Sequence, residues 1–225
     1  MIRISQHESS GVGITGIGIY LPEKILTNAM LSDTVTPEDD WIFSRTGIKE
    51  RHIAADDQAP SDLGAAAARK AMEMAGVAAG NVDLVIVATG TGDMQFPATA
   101  CIIQELLQLK NAAAFDISAG CTGFVYALSV GRQFVASGVY QTVLIIGTEV
   151  ISRVVDWDDP ETCILFGDGA GAVVLQPTTP GYGLLAAKLG ADGSGGKHLL
   201  MPAGGTRLPN TPQTLAEKLN KLHMN

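Results

Sequence analysis

The strongest constraint on the fold is a regular alternation of short apolar runs with helix-forming segments along most of the chain. The apolar runs carry hydrophobic residues on both faces, the pattern of buried strands in parallel sheets. This β-α-β-α-β-α-β order predicts an α/β fold whose mostly parallel sheet is covered by helices. The predicted strands are Val12–Tyr20, Val82–Ala88, Ala112–Ile117 and Thr142–Ile146, and the predicted helices run over Asp62–Met74, from Pro97 through Leu109, and from near Cys121 to Ser137.

Local signals predict where these elements end. Pro22 stops the first strand, because proline cannot donate to a sheet ladder. Ser61 is predicted to be the N-cap of the first helix. Gly76 and Gly138 lie where helices commonly end on a left-handed residue.

Two further strands are predicted at the sheet edge, over Cys163–Phe166 and Ala172–Leu175. The intervening Gly167–Gly171 is typical of a hairpin turn. Beyond Pro177 and Pro180, another strand over Leu184–Leu189 and a final helix starting near Thr211 or Pro212 are expected. This tail is too short for a domain of its own.

Composition narrows the classes of function. The chain has 225 residues, of which 46% are hydrophobic and 17% charged, with a formal net charge of −8. It carries no basic run, which argues against nucleic acid and anionic membrane surfaces as partners. Its three cysteines form no C-x-x-C pair, which argues against disulfides and structural zinc. With no apolar leader and no membrane-length run, a cytoplasmic location is expected.

Cys121 is the informative residue for chemistry. It lies at the first turn of a predicted helix that follows a predicted strand, at the sheet edge where α/β active sites form. A helix N-terminus favours the thiolate, the nucleophilic form of cysteine. The alternative, a small buried hydrophobic residue, stays open on position alone. Cys101 and Cys163 lie in apolar stretches, where burial is expected to suppress the thiolate.

The segment around Cys121 resembles the nucleophile segment of β-ketoacyl-acyl-carrier-protein synthase III, a condensing-enzyme family of the thiolase superfamily. The similarity extends over essentially the whole chain, with its motifs in the family's order. The matching segments are Asp116–Val130, Gly16–Pro22 with Asn28, Trp41–Ile53, Phe96-Pro97, Phe166–Val174 and Ala191–Ser194.

The resemblance implies a thiolase-like layered α-β-α-β-α fold that forms a homodimer. Residues 1–177 would be the N-terminal half, which carries the nucleophile, and residues 178–225 the incomplete beginning of the C-terminal half. It also implies a decarboxylative condensation in which acyl-CoA, with acetyl-CoA as the expected donor, acylates Cys121. Malonyl-acyl-carrier protein then loses carbon dioxide and attacks the acyl group, with no cofactor.

Further site residues follow from the resemblance. Cys121 would supply its N–H to the oxyanion hole, Trp41 would stack on the adenine of coenzyme A, and Arg45 would meet its phosphates. Phe96 would line the partner subunit's acyl pocket. Packing on a surface loop is the alternative for Trp41, and a helix-entry contact for Phe96. At Pro160-Glu161 some relatives carry an Arg that helps to hold coenzyme A, so that contact is not carried over.

Other motifs are weaker. The four histidines, at positions 7, 52, 198 and 223, match no catalytic segment of the family, whose His and Asn are expected in the C-terminal half. The 225 residues alone are therefore expected to be inactive. The glycine-rich segments Gly16–Gly18, Gly90–Gly92 and Gly167–Gly171 lack a complete nucleotide-binding pattern. Two alternative functions stay open: a related acyltransferase that makes quinolone or polyketide starter units, and a non-catalytic half-fold that dimerises or binds coenzyme A.

Overall fold

The computed structural model of the protein describes residues 11–31 and 39–224. They form nine strands and five α-helices, joined by loops and short 3-10 turns. The strands are β1 (Gly11–Tyr20), β2 (Lys24–Thr27), β3 (Glu50–Ile53), β4 (Leu84–Ala88), β5 (Ala113–Ile117), β6 (Val143–Glu149), β7 (Gly169–Thr178), β8 (Leu199–Leu200) and β9 (His223–Met224). The helices are α1 (Asp39–Thr46), α2 (Pro60–Ala75), α3 (Thr99–Leu106), α4 (Gly123–Ala136) and α5 (Pro212–Ala216).

The described residues divide into two compact units, each assembled from separate stretches of sequence. The first combines the described residues up to Leu21 with Asp56–Glu149 and Gly169–Leu189. The second comprises the described parts of Pro22–Ala55, Val150–Asp168 and Gly190–Asn225. The boundary between family halves after residue 177 stays a prediction.

The first unit is built on a five-stranded sheet in the order β1-β7-β6-β4-β5. β4 is parallel to both neighbours, whereas β7 is antiparallel to β6 and β1. The α/β class is confirmed, and the sheet is mixed because β7 runs opposite to the other four strands. α3 and α4 supply the crossovers that the parallel pairs need, and the described link from β6 to β7 contains no α-helix.

Helices pack on both faces of this sheet. Gly64 of α2 lies over Ile146, and Gly131 of α4 lies over Ile145. Because neighbouring residues of a strand point to opposite faces, α2 and α4 cover opposite sides of β6. α2 also approaches β1 closely, since a Cβ at Gly18 would overlap the carbonyl oxygen of Ala67. The glycines of β1 therefore serve close packing.

Several predicted element ends are confirmed, and one is wrong. Gly76, with φ 64°, and Gly138, with φ 73°, adopt the left-handed conformation after α2 and α4. Ser61 does not cap α2, because it is the helix's second residue. The cap position is Ala59, whose N–H donates to Asp62 Oδ2 over 2.8 Å.

The predicted hairpin at the sheet edge is wrong. Cys163–Phe166 forms turns rather than a strand, and β7 is one long strand between β1 and β6. A glycine-rich segment can end a turn and start a strand, and here β7 begins at Gly169. Leu184–Leu189 is not a strand either, although the Leu184 N–H donates to the Val12 carbonyl over 2.7 Å. The final helix is confirmed as α5, which Thr211 caps.

The second unit holds two small antiparallel pairs, β2 with β3 and β8 with β9. Its apolar cluster centres on five buried residues: Leu31, Ile42, Val155, Cys163 and Ile164. Arg51 is buried beside this cluster. Its guanidinium donates to the Ile164 carbonyl and to Asn28 Oδ1, which ties β3 to two other segments of the unit.

Candidate active site

The carboxyl ends of three neighbouring strands meet at one edge of the first unit's sheet. Ala88 of β4 pairs with Ile117 of β5 on one side and with Gly147 of β6 on the other. In α/β proteins, side chains that follow such strand ends converge on ligands. Cys121 lies four residues after Ile117, at this edge.

Cys121 is exposed and lies in a 3-10 turn, Gly120–Thr122, directly before α4. The α-helix itself begins at Gly123, slightly later than predicted. A Cβ at Gly123 would lie 3.2 Å from the Cβ of Ala88, so the start of α4 packs closely on the end of β4. The thiol is thus accessible at a closely packed helix start, a position at which main-chain N–H groups favour anions. β5 before it is half-buried, as an edge strand, rather than fully buried as predicted.

The other two cysteines differ from each other. Cys163 is buried, and burial raises the pKa of its thiol, with Asp159 adding to the increase and Arg51 opposing it. Its predicted burial is confirmed. The prediction of burial is wrong for Cys101, which is exposed on α3, because its side chain is not on the helix face that packs inward.

The loop after β4, residues 89–98, is held at the same edge by Glu149. One carboxylate oxygen of Glu149 accepts the Gly90 N–H over 2.7 Å. The other accepts the hydroxyls of Thr91 and, over 3.4 Å, Thr89. Glu149 was not predicted as a site residue, although an acidic residue that ends a buried strand indicates a polar group at this edge.

Phe96 lies in this loop, before a cis peptide bond to Pro97, and is 86% exposed. Asp93 accepts hydrogen bonds from both the N–H and the hydroxyl of Ser61, over 3.0 and 2.6 Å. Asp116 of β5 accepts the N–H groups of Thr99 and Ala100 at the start of α3, each over 2.8 Å. An exposed aromatic side chain is thus presented by a well-bonded loop.

Trp41 and Arg45 lie on α1 in the second unit, one helical turn apart. The Arg45 guanidinium carbon is 4.9 Å from the centre of the indole ring, a cation–π distance. Trp41 is half-buried and packs against the apolar cluster of Leu31 and Ile42, whereas Arg45 is exposed. The four-residue spacing therefore brings Trp41 and Arg45 together, as predicted. The indole also packs against the apolar cluster.

The histidines make local contacts. His52 Nδ1 donates to the Pro22 carbonyl over 2.5 Å, and His223 Nε2 donates to the Lys218 carbonyl over 3.1 Å, since a carbonyl can only accept. His198 follows the 3-10 turn Gly193–Lys197. His7 lies outside the described residues. The contacts of His52 and His223 give both rings a structural role.

Glu161, of the pair Pro160-Glu161, is exposed, and its N–H donates to Asp159 Oδ1 over 3.0 Å. Within residues 11–31 and 39–224, no three His, Cys, Asp or Glu side chains are grouped to hold a metal ion. None of the helices described is long and apolar enough to span a membrane.

Comparisons with known proteins agree on one family. Residues 115–193 match the family model of 3-oxoacyl-[acyl-carrier-protein (ACP)] synthase III. A β-ketoacyl-[acyl-carrier-protein] synthase III of Caldanaerobacter subterraneus subsp. tengcongensis is 52% identical over 217 residues, which are 96% of this chain and 66% of that protein. The chain spans just under two thirds of the length of such curated relatives.

Solved structures give the same result. The crystal structure of the Pseudomonas aeruginosa 3-oxoacyl-(acyl carrier protein) synthase III is 38% identical, with a TM-score of 0.84 over 96% of this chain and 65% of that one. A second crystal structure of a 3-oxoacyl-(acyl-carrier-protein) synthase III is 32% identical, with a TM-score of 0.85 over 96% of this chain and 67% of that one. Both support the thiolase-like fold expected from the sequence.

Proposed function

Because the chain belongs to the 3-oxoacyl-[acyl-carrier-protein] synthase III family, we propose that the full-length protein condenses an acyl group from acyl-CoA with malonyl-acyl-carrier protein. Acetyl-CoA is the proposed acyl donor, and the reaction would begin fatty acid synthesis. The observation that carries the proposal is the exposed thiol of Cys121 before α4, at the carboxyl edge of the sheet.

The first half-reaction transfers the acyl group to Cys121. Its thiolate attacks the thioester carbonyl of acyl-CoA, a C–S bond forms, and the coenzyme A thiolate leaves. The N–H of Cys121 would donate to the oxyanion that develops on the carbonyl oxygen. The position at a helix start supports both roles, because the Cys121 sulfur is exposed there and helix starts present main-chain N–H groups to anions.

The second half-reaction forms the carbon–carbon bond. Malonyl-acyl-carrier protein loses carbon dioxide, and the resulting enolate attacks the acyl carbonyl on Cys121. The products are a β-ketoacyl-acyl-carrier protein and the regenerated thiolate. The family resemblance assigns stabilisation of the enolate to a His and an Asn of the C-terminal half. This agrees with the contacts of His52 and His223, which give these two histidines structural roles instead.

Trp41 and Arg45 are proposed to bind the nucleotide end of coenzyme A. An indole offers a stacking face for the adenine, and an exposed guanidinium suits phosphates. Their 4.9 Å contact supports this assignment, because it brings the guanidinium and the indole together on one helix. The acidic Glu161 gives no support for a phosphate contact at its position.

Phe96 is proposed to line the acyl pocket of the partner subunit in a homodimer. Its 86% exposure supports this role, since a large apolar side chain gains by burial against a partner. The proposed partners are thus acyl-CoA, malonyl-acyl-carrier protein and a second copy of the chain, in the cytoplasm. The proposed chemistry uses no metal and no cofactor.

The test measures β-ketoacyl-acyl-carrier protein by mass spectrometry after incubating the full-length protein with malonyl-acyl-carrier protein and acetyl-CoA. The proposal expects product from the wild type and none from Cys121→Ala. Product with other acyl donors or acceptors only would favour the starter-unit acyltransferase. No product with any acyl-CoA would favour the non-catalytic alternative and contradict the proposal.

A further inference from the structure

The side chain of Glu149 is hydrogen-bonded to the loop 89–98. The carboxylate accepts the Gly90 N–H over 2.7 Å and the hydroxyls of Thr91 and Thr89. All three donors lie within three consecutive residues, directly after β4. A carboxylate that accepts several hydrogen bonds from one short segment fixes the course of that segment.

The first of these three residues, Thr89, is also bonded to the strand that leads to Cys121. The Thr89 N–H donates to the Ile117 carbonyl over 3.3 Å, four residues before Cys121. Because β4 lies between β5 and β6, the start of the loop is held between the Cys121 strand and Glu149. Glu149 therefore acts on the loop from the side opposite to the nucleophile.

Farther along, the loop is held by a single residue, Asp93, through contacts with two other segments. Asp93 accepts two hydrogen bonds from Ser61 of α2, and its N–H donates to Thr99 Oγ1 over 3.3 Å. Phe96 lies between Asp93 and Thr99, the two residues that this last bond joins, and is 86% exposed. Its position consequently depends on how firmly the rest of the loop is held.

We propose that Glu149 is a positioning residue, which fixes the loop 89–98 and so sets where Phe96 stands. The inference rests on the proposed function, in which Phe96 lines the partner's acyl pocket. If the Phe96 side chain is held firmly, the pocket that it lines accepts acyl chains of a narrow range of lengths. Glu149 would thereby determine the enzyme's preference between short and longer acyl-CoA without contacting either substrate.

The test compares four variants of the full-length enzyme by hydrogen–deuterium exchange of residues 89–98, which needs no substrate. Glu149→Ala removes all three hydrogen bonds and is expected to raise Gly90 amide exchange ~10-fold. Glu149→Gln keeps an acceptor for Gly90 and a donor for the Thr91 hydroxyl, so it should stay within ~3-fold of the wild type. Thr91→Val removes one bond and should lie between them. Exposed Glu73→Ala is the matched control and should match the wild type.

The second measurement is the ratio of kcat/KM for acetyl-CoA to kcat/KM for hexanoyl-CoA. We expect this ratio to move ~10-fold towards one in Glu149→Ala and to recover in Glu149→Gln. Unchanged exchange in Glu149→Ala and Thr91→Val would overturn the positioning role. Raised exchange with an unchanged ratio would overturn the specificity role. A wild type without condensing activity would refute the proposed function, while the exchange data would still decide whether Glu149 holds the loop.

Discussion

Replacing Trp41 or Arg45 with alanine in the full-length enzyme is expected to raise the KM for acyl-CoA while leaving kcat nearly unchanged. Both residues are proposed to bind the nucleotide, which is remote from the reacting thioester. Their loss therefore weakens the binding of substrate and transition state equally, which raises KM and leaves kcat unchanged. Stacking of a base on an aromatic ring contributes ~1–3 kcal/mol, which predicts a ~5–150-fold rise in KM for Trp41→Ala. Arg45 is exposed, and an exposed ion pair of ~0.2–1 kcal/mol predicts only a ~1.5–5-fold rise.

The structure adds two controls to this experiment. Trp41 is half-buried against the apolar cluster of the second unit, so Trp41→Ala also loses packing, whereas Trp41→Phe keeps much of it. Phe43, exposed on the same helix, gives Phe43→Ala as a variant expected to leave KM unchanged. Because Arg45 lies 4.9 Å from the indole, the double alanine variant should lose less than the sum of the single losses.

A truncated substrate makes the assay decisive. An acyl-pantetheine thioester carries the reacting group without the adenine nucleotide, so its kcat/KM should be the same in the wild type and in each alanine variant. Steady-state kinetics with both thioesters measures this difference. If kcat collapsed with KM unaltered, or if both thioesters lost activity equally, the residues would act at the reacting centre and the reasoning would be refuted.

Three further predictions concern stability and reactivity. Gly18→Ala would force α2 away from β1 and should lower the free energy of unfolding by ~1–3 kcal/mol, measured by urea denaturation; an unchanged midpoint would contradict the close packing. Asp116→Asn keeps one of the two oxygen acceptors for the N–H groups at the start of α3, and should lower the free energy of unfolding by ~1–2 kcal/mol in the same assay. An unchanged free energy of unfolding would show that these two hydrogen bonds do not stabilise the fold. Burial raises the pKa of Cys163, so the folded protein keeps a proton that the unfolded chain loses above the ordinary thiol pKa. Unfolding free energy should therefore fall with pH above about 9 more steeply in the wild type than in Cys163→Ser, and equal slopes would contradict this.

The local elements of the first unit could be predicted because each carries its own pattern. β4 is apolar on both faces, and α2 ends at a glycine that adopts φ 64°. The long pairing of β7 with β1 could not be read from the sequence, since it joins residues about 160 positions apart and depends on tertiary packing. The sequence around Gly167–Gly171 is compatible with a hairpin, and only the sheet order excludes it.

The candidate site also contains residues that could be predicted from the sequence and residues that could not. Cys121 could be placed at the sheet edge because a strand, a turn and a helix follow one another in sequence there. Trp41 and Arg45 could be paired because four residues make one helical turn. The contact of Glu149 with Gly90 joins residues 59 positions apart, and no periodicity reports it. The exposure of Cys101 was also missed, because an apolar neighbourhood in sequence does not determine which helix face is buried.

The central claim, that Cys121 is the acylated nucleophile, is tested most directly by peptide mass spectrometry of the full-length protein after brief exposure to acetyl-CoA. Cys101 is an internal control, because it is exposed like Cys121 but lies away from the start of α4. An acetyl group is expected on Cys121 alone, with Cys101 and buried Cys163 unmodified. An acetyl group on Cys101 or Cys163, with Cys121 free, would contradict it.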